Sequence, residues 1–131
     1  MAEVHEQGGV AILPHPCRHH LHLSRQLLEA LDGVEVWNAR DRRDVSHIVR
    51  EQLATPYSLA ELGGSDAHWS REIGRARTIV SCPSLSAANV KAAIEARRTV
   101  ALGCARLTPG IEILATKSVK HSRRAYSRVA R

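Results

Sequence analysis

The stretch Val34-Glu35-Val36-Trp37-Asn38-Ala39-Arg40 decides the fold. Val34–Trp37 predicts a strand, and Asn38, Ala39 and Arg40 lie at its end. Before it, Leu23, Leu27, Leu28 and Leu31 share one helical face, and Asp32-Gly33 closes that helix. Further back, Gly8-Gly9 precede the short apolar run Val10-Ala11-Ile12-Leu13, which reads as a buried strand. Pro14-His15-Pro16 ends it, because proline offers no N–H to a ladder. His5 falls where a preceding helix would finish. Downstream, Asp44 is placed to cap a helix whose Val45, Ile48, Val49 and Leu53 share a face, and Pro56 stops it. Leu62 to Ala67 is a small-residue strand or strand end, and Arg77-Thr78-Ile79-Val80 is another strand, closed by Pro83. Ser84 or Ser86 starts a helix that runs through Val90, Ala93, Ile94 and Arg97. Beyond Gly103, Thr108-Pro109-Gly110 is a turn, and the remainder reads as strand, helix or neither.

Strands alternating with amphipathic helices at this spacing predict an α/β fold built from βα units, with a largely parallel sheet. The length of 131 residues suits one domain, and 44% hydrophobic with 24% charged residues is an ordinary globular balance. No apolar run reaches the length of a membrane span. The N-terminus has neither a basic flank nor an apolar stretch of the kind a secretory signal needs. Cys17, Cys82 and Cys104 are scattered and odd in number, which argues against a disulfide framework and for a reducing cytoplasm. Aromatic residues are only 3%, with no Phe, so the core must be built from Leu, Ile, Val and Ala and is expected to be shallow.

The formal net charge is +6, and its placement is informative. Every acidic residue lies at or before Glu112, whereas residues 115–131 hold Lys117, Lys120, Arg123, Arg124, Arg128 and Arg131. Without those six the chain has as many basic as acidic residues. The sequence thus divides into a neutral body, 1–100, and a basic extension, 101–131. Such an extension can hold RNA or another polyanion through counterion release, or be a solvated terminus with no specific partner.

In parallel βα architectures, chemistry gathers at the carboxyl ends of strands. Here that rule selects Pro14–Arg18, Asn38–Arg40 and Ser65–His68. In an extended segment residues two apart face the same way, so Asp66 and His68 would point into one site. A carboxylate and an imidazole on one face suit Zn²⁺, Mn²⁺ or Fe; alone, the pair reads equally as an Asp–His hydrogen bond at a turn. His15, between two prolines, would be pre-positioned by their limited backbone freedom, or be a turn histidine with no ligand. Arg18 and Arg40 carry planar forks that suit phosphate oxygens, although surface arginines are often simply solvated. The run His19-His20-Leu21-His22 can bind transition metals without a physiological role, and His47 reads as a surface residue of its helix. Cys17 has no evident base and oriented third group, and reads as a bystander.

Taken in order, Pro14-His15-Pro16-Cys17-Arg18, Val34–Arg40, Gly64-Ser65-Asp66-Ala67-His68 and Glu72-Ile73-Gly74 resemble the C-terminal half of the PHP domain, the polymerase and histidinol phosphatase superfamily. The resemblance runs from about Gly8 to Arg98 and is closest to the small stand-alone phosphoesterases and RNA-processing relatives of that group. It implies a distorted β/α barrel, present here only in part. It implies a cluster of up to three divalent metals, Zn, Mn or Fe, that hydrolyses phosphoesters. His15 falls on the histidine of the HP motif and Asp66 and His68 on the closing Asp-x-His pair, all three metal ligands in the family. Arg18 and Arg40 would hold the phosphate of a small-molecule or oligonucleotide substrate.

The sequence departs from the family pattern ahead of His15. The preceding fourteen residues contain one His and two Glu and no His-x-His, so most of the family's ligands are not found there. A complete barrel of the related TIM type takes about 250 residues. Half a barrel leaves open strand edges, which invite edge-to-edge dimerisation or a complementing N-terminal chain, or else mark a truncated product of low stability. The expected function is a PHP-like metal-dependent phosphoesterase in partial form. The alternatives are a non-catalytic remnant that binds RNA or a protein partner through its basic extension, and a fragment with no role of its own.

Overall fold

The structure is a computed structural model that describes residues 1–18, 23–41 and 43–103. The His19-His20-Leu21-His22 run, Cys104 and the basic extension beyond 103 lie outside the described residues. Helix α1 (Ala2–Glu6) leads to strand β1 (Ile12–Leu13), and a 3-10 turn follows at Pro16–Arg18. Helix α2 (Arg25–Glu29) and strand β2 (Gly33–Asn38) come next, then helix α3 (Ser46–Val49) and strand β3 (Ala60–Gly64). Strand β4 (Ala76–Val80), helix α4 (Ala87–Glu95) and strand β5 (Thr99–Gly103) complete the described chain.

Helices α2, α3 and α4 start where side-chain acceptors satisfy early amides. Ser24 Oγ accepts from Leu27 N–H at 3.2 Å, and Ser86 Oγ accepts from Asn89 N–H at 3.2 Å, so Ser86 rather than Ser84 caps α4. Asp44 Oδ1 takes the Ser46 N–H at 2.9 Å at the head of α3. Past Val49 the helix widens into π turns over Arg50–Ala54, with Thr55 N–H reaching Arg50 O at 2.9 Å. The buried Val49 and Ala54 are therefore five apart, and Ile48, expected on the inner face, stands at the surface.

Strands β1, β2 and β3 form a parallel sheet in that order, with Ile12 opposite Gly33 and Gly33 opposite Ala60. A register shift between Glu35 and Trp37 bulges β2 near its carboxyl end. The core lies between this sheet and helices α2 and α3. Val34, Val36, Val49 and Ala60 are almost fully buried, joined by Leu13, Leu28, Leu31 and Leu59. It is a core of aliphatic residues of small and medium size, as the composition requires.

The parallel pattern stops after β3. β4 and β5 pair antiparallel, Ala76 opposite Gly103 and Val80 opposite Thr99. The helix between them reads in sequence as a parallel crossover, yet its connection closes on itself: Ser81 N–H donates to Arg98 O at 2.9 Å. The chain re-enters the sheet beside the point where it left, so the returning strand must run backwards. The pair is tied to β3 by a side chain, not by a ladder. Thr78 Oγ1 accepts from Gly63 N–H at 2.9 Å and donates to Gly63 O at 3.1 Å. A Cβ at Gly63 would lie 2.6 Å from the Arg77 carbonyl oxygen, so only glycine permits this approach. The architecture is mixed α/β, and no closed barrel forms among the described residues. No helix among them is long and apolar enough to cross a membrane.

Candidate functional site

The carboxyl ends of β1, β2 and β3 meet at one rim, and hydrogen bonds made by side chains tie them together. Glu35, on β2, is the first link: its Oε2 accepts from His15 N–H at 2.7 Å and from Asn38 Nδ2 at 2.9 Å. Its carboxyl lies over Gly64, where any Cβ would collide with Glu35 Oε1. Arg18 is the second link. Its Nε donates to Asp41 Oδ1 at 2.8 Å, its Nη1 to Asp66 Oδ2 and its Nη2 to Asn38 Oδ1. One guanidinium thus reaches residues that follow two different strands and the end of β2 itself. Desolvation works against its charge, but the hydrogen bonds and charges of Asp66 and Asp41 outweigh that, and the Arg18 pKa is raised.

Asp66 and His68 come together differently from the expected strand alternation. Asp66 has φ +47°, in the left-handed region, so the segment after Gly64 turns. The turn brings His68 Nδ1 within 2.8 Å of the Asp66 carbonyl oxygen. His15 is also left-handed, at φ +34°, immediately before Pro16, where that region is disfavoured. Of the four described non-glycine residues with positive φ, two are therefore candidate metal ligands, a concentration of backbone strain that functional sites often carry.

Arg40 lies elsewhere in the rim. Its side chain is 7% exposed and that of Glu72 1%, and Nη1 of Arg40 donates to both Glu72 oxygens, at 2.9 and 2.8 Å. Glu72 Oε2 also accepts from His68 N–H at 2.7 Å and Trp69 N–H at 3.3 Å. Burial pushes the Glu72 carboxyl up; the His68 amide, the Arg40 charge and the Trp69 amide together hold it below the usual carboxylate range. A phosphate at Arg40 would have to displace this buried carboxylate. Cys17, on the 3-10 turn, has its thiol pushed up by burial and by the Asp41 charge, which keeps it from the reactive thiolate. His47 is exposed on α3.

Sequence reasoning assigned no role to Glu35, Asn38, Asp41 or Glu72, which do most of the holding. Asn38 and Glu72 fall within segments the sequence singled out, and Glu35 stands out as a charge within an otherwise apolar strand.

The resemblance implies a divalent metal, and the donors can be tested against one. A carbonyl only accepts, so His68 Nδ1 is the donor in this bond, and the tautomer that donates there carries its lone pair on Nε2. Metal-bound histidines are commonly fixed in this way by a backbone carbonyl. Arg18 takes Asp66 Oδ2, and Asp66 Oδ1 lies 3.8 Å from His68 Nδ1. No group of three His, Cys, Asp or Glu placed to hold a metal occurs among the described residues. The donors fit a metal as part of a larger ligand set, not as a complete one, because tight sites use three or four.

Parts of the chain are similar to known proteins. Residues 50–99 match the family model described as PHP-associated. Over 82 residues the chain is 33% identical to an uncharacterized protein of Methanocaldococcus jannaschii, an alignment covering 56% of this chain and 35% of that protein. The chain thus spans about a third of the length of the curated relative it matches. The segment that carries β3, Asp66, His68, Glu72 and β4 is thus the one that matches the PHP-associated model, which is consistent with the C-terminal part of a PHP superfamily domain.

Proposed function

We propose that this chain contributes the C-terminal wall of a PHP-like, metal-dependent phosphoesterase site. His68, Asp66 and His15 are its metal donors, and further ligands come from beyond the described residues. The observation that carries the reading is the hydrogen bond from His68 Nδ1 to the Asp66 carbonyl, which leaves the Nε2 lone pair to a metal.

Each residue then has a distinct task. Asp66 offers Oδ1 while its other oxygen holds Arg18. Glu35 fixes the backbone at His15, and Glu72 fixes it at His68. Arg40 keeps Glu72 charged and in place, so it serves the phosphate site by positioning the His68 loop. Arg18, with a side chain 26% exposed, is the arginine that a phosphate can reach. A divalent cation bound here would supply Lewis acidity to a phosphoester.

Mn²⁺ retention by equilibrium dialysis of tag-free protein tests the reading. Retention above background that falls in His68→Ala and in Asp66→Asn is the expected result. Retention that is equal in all three proteins removes these residues from the ligand set.

A further inference from the structure

We propose that Arg18 is a built-in counter-cation of Asp66, which competes with a divalent cation for that carboxylate. The inference rests on the reading of Asp66 as a metal donor and adds to it a regulation of the same site. One guanidinium engages Asp66, Asp41 and Asn38 at once. Asp66 and Asp41 carry charges opposite to Arg18, so the arrangement has the electrostatics of a cation held between carboxylates, with the cation supplied by the protein. It also does the structural work of a bound ion: it ties the loop after β1 to the end of β2 and to the turn after β3.

Two cations cannot share Asp66 without cost. A divalent ion at Oδ1 would stand close to the positive fork on Oδ2, and both would draw on the same negative charge. Metal entry therefore weakens or breaks the Arg18–Asp66 contact. The contact is suited to exchange. Arg18 and Asp66 side chains are 26% and 24% exposed, so water can replace either partner. A released Arg18 keeps Asp41 as an anchor and swings a free fork toward the rim, where a substrate phosphate would lie. Metal occupancy and phosphate recognition are then coupled through one side chain: with no metal, Arg18 is closed on Asp66; with metal, it is open to an anion.

Direct titration of Mn²⁺ into the full chain and its variants tests this. Manganese is the probe because the His19-His20-Leu21-His22 run prefers softer nitrogen-seeking ions. A neighbouring opposite charge alters the proton affinity of a carboxylate by one to three pKa units, so removal of Arg18 should tighten Mn²⁺ binding about tenfold or more. Arg18→Met is the first variant, and Arg18→Lys, which keeps a charge but loses the fork, guards against a folding defect and should bind with intermediate affinity. Asp66→Asn in the Arg18→Met background should abolish the gain. In a second readout, Mn²⁺ should raise the melting temperature of Arg18→Met more than that of the wild type. If the wild type binds Mn²⁺ through His68 and Arg18→Met binds no more tightly, the competition is overturned while the ligand assignment stands. If neither protein binds above background, the ligand assignment itself fails, and the competition with it.

Discussion

Two arginines sit on one rim of the sheet and do opposite things. Arg18 follows β1, is a quarter exposed and spreads its fork over three acceptors from different segments. Arg40 follows β2, is almost wholly buried and is spent on Glu72. Their place in the sequence is similar, each a few residues past a strand end, and from sequence they read alike. Burial separates them. A guanidinium removed from water holds its carboxylate permanently, because neither partner can be resolvated without opening the fold. One that still meets water can trade partners. The rim thus has a fixed half, Arg40–Glu72, which shapes the His68 loop, and an exchangeable half around Arg18 and Asp66.

The widest expected gap between the halves is in stability. Arg40→Met leaves the buried Glu72 carboxylate without its counter-charge and Glu72→Leu takes the buried carboxylate from Arg40, and each should cost about 3–5 kcal/mol in urea unfolding. The double variant should recover much of the loss, because both charges are then gone. Near-additive losses would show that the two side chains act independently and would break the contrast with Arg18.

The same pair predicts a pH dependence of definite sign. The Glu72 carboxyl is held below its usual range in the folded protein, so the unfolded chain binds the extra proton first. The stabilisation is fully present above the unfolded value of about 4.3 and is lost as pH falls through the folded value. Urea midpoints measured from pH 6 downward should drop in the wild type below about pH 4.3. Glu72→Gln should remove part of that drop. A drop of equal size in the variant would assign the acid sensitivity to other carboxylates.

Arg18→Met should be milder. Three hydrogen bonds are lost, but solvent reaches both sides of the Asp66 contact, and we expect about 2 kcal/mol after that screening. A loss equal to that at Arg40 would mean that the Arg18 cluster is as rigid as the buried pair and would sharpen the rim into a single unit.

How much of this was legible in the sequence follows from local rules. The first three strands and the helices between them were readable because Leu28, Leu31, Val34 and Val36 repeat with the right periods and prolines and glycines mark the ends. The convergence of three loops was readable from strand polarity alone. The antiparallel return of β5 was not, since a helix between two strands looks the same whether its connection crosses over or closes at Ser81 and Arg98. The contact between Asp66 and His68 is a hydrogen bond at a turn, the alternative that the sequence left open beside one shared face. Alternation places residues two apart on one face only in extended backbone, and Asp66 is left-handed. The partners of the two arginines were invisible because Asp41, Asp66 and Glu72 find them across distances in sequence that no local period encodes.

The smallest predicted effect lies away from the rim and calibrates the others. Helix α2 has only five residues, too few to persist by its own hydrogen bonds, so it depends on its cap and on Leu28 and Leu31 packing into the core. Ser24 supplies that cap by accepting the Leu27 N–H. Ser24→Ala should cost about 1 kcal/mol in urea unfolding. It should leave Mn²⁺ affinity unchanged, because the hydrogen bonds described above for Glu35, Arg18, His68 and Glu72 do not pass through α2. The Arg18 variant must move both quantities and the Ser24 variant only one. Should Ser24→Ala shift metal affinity as well, general loosening of the fold would account for both variants, and the difference between a fixed and an exchangeable arginine would no longer be needed to explain either.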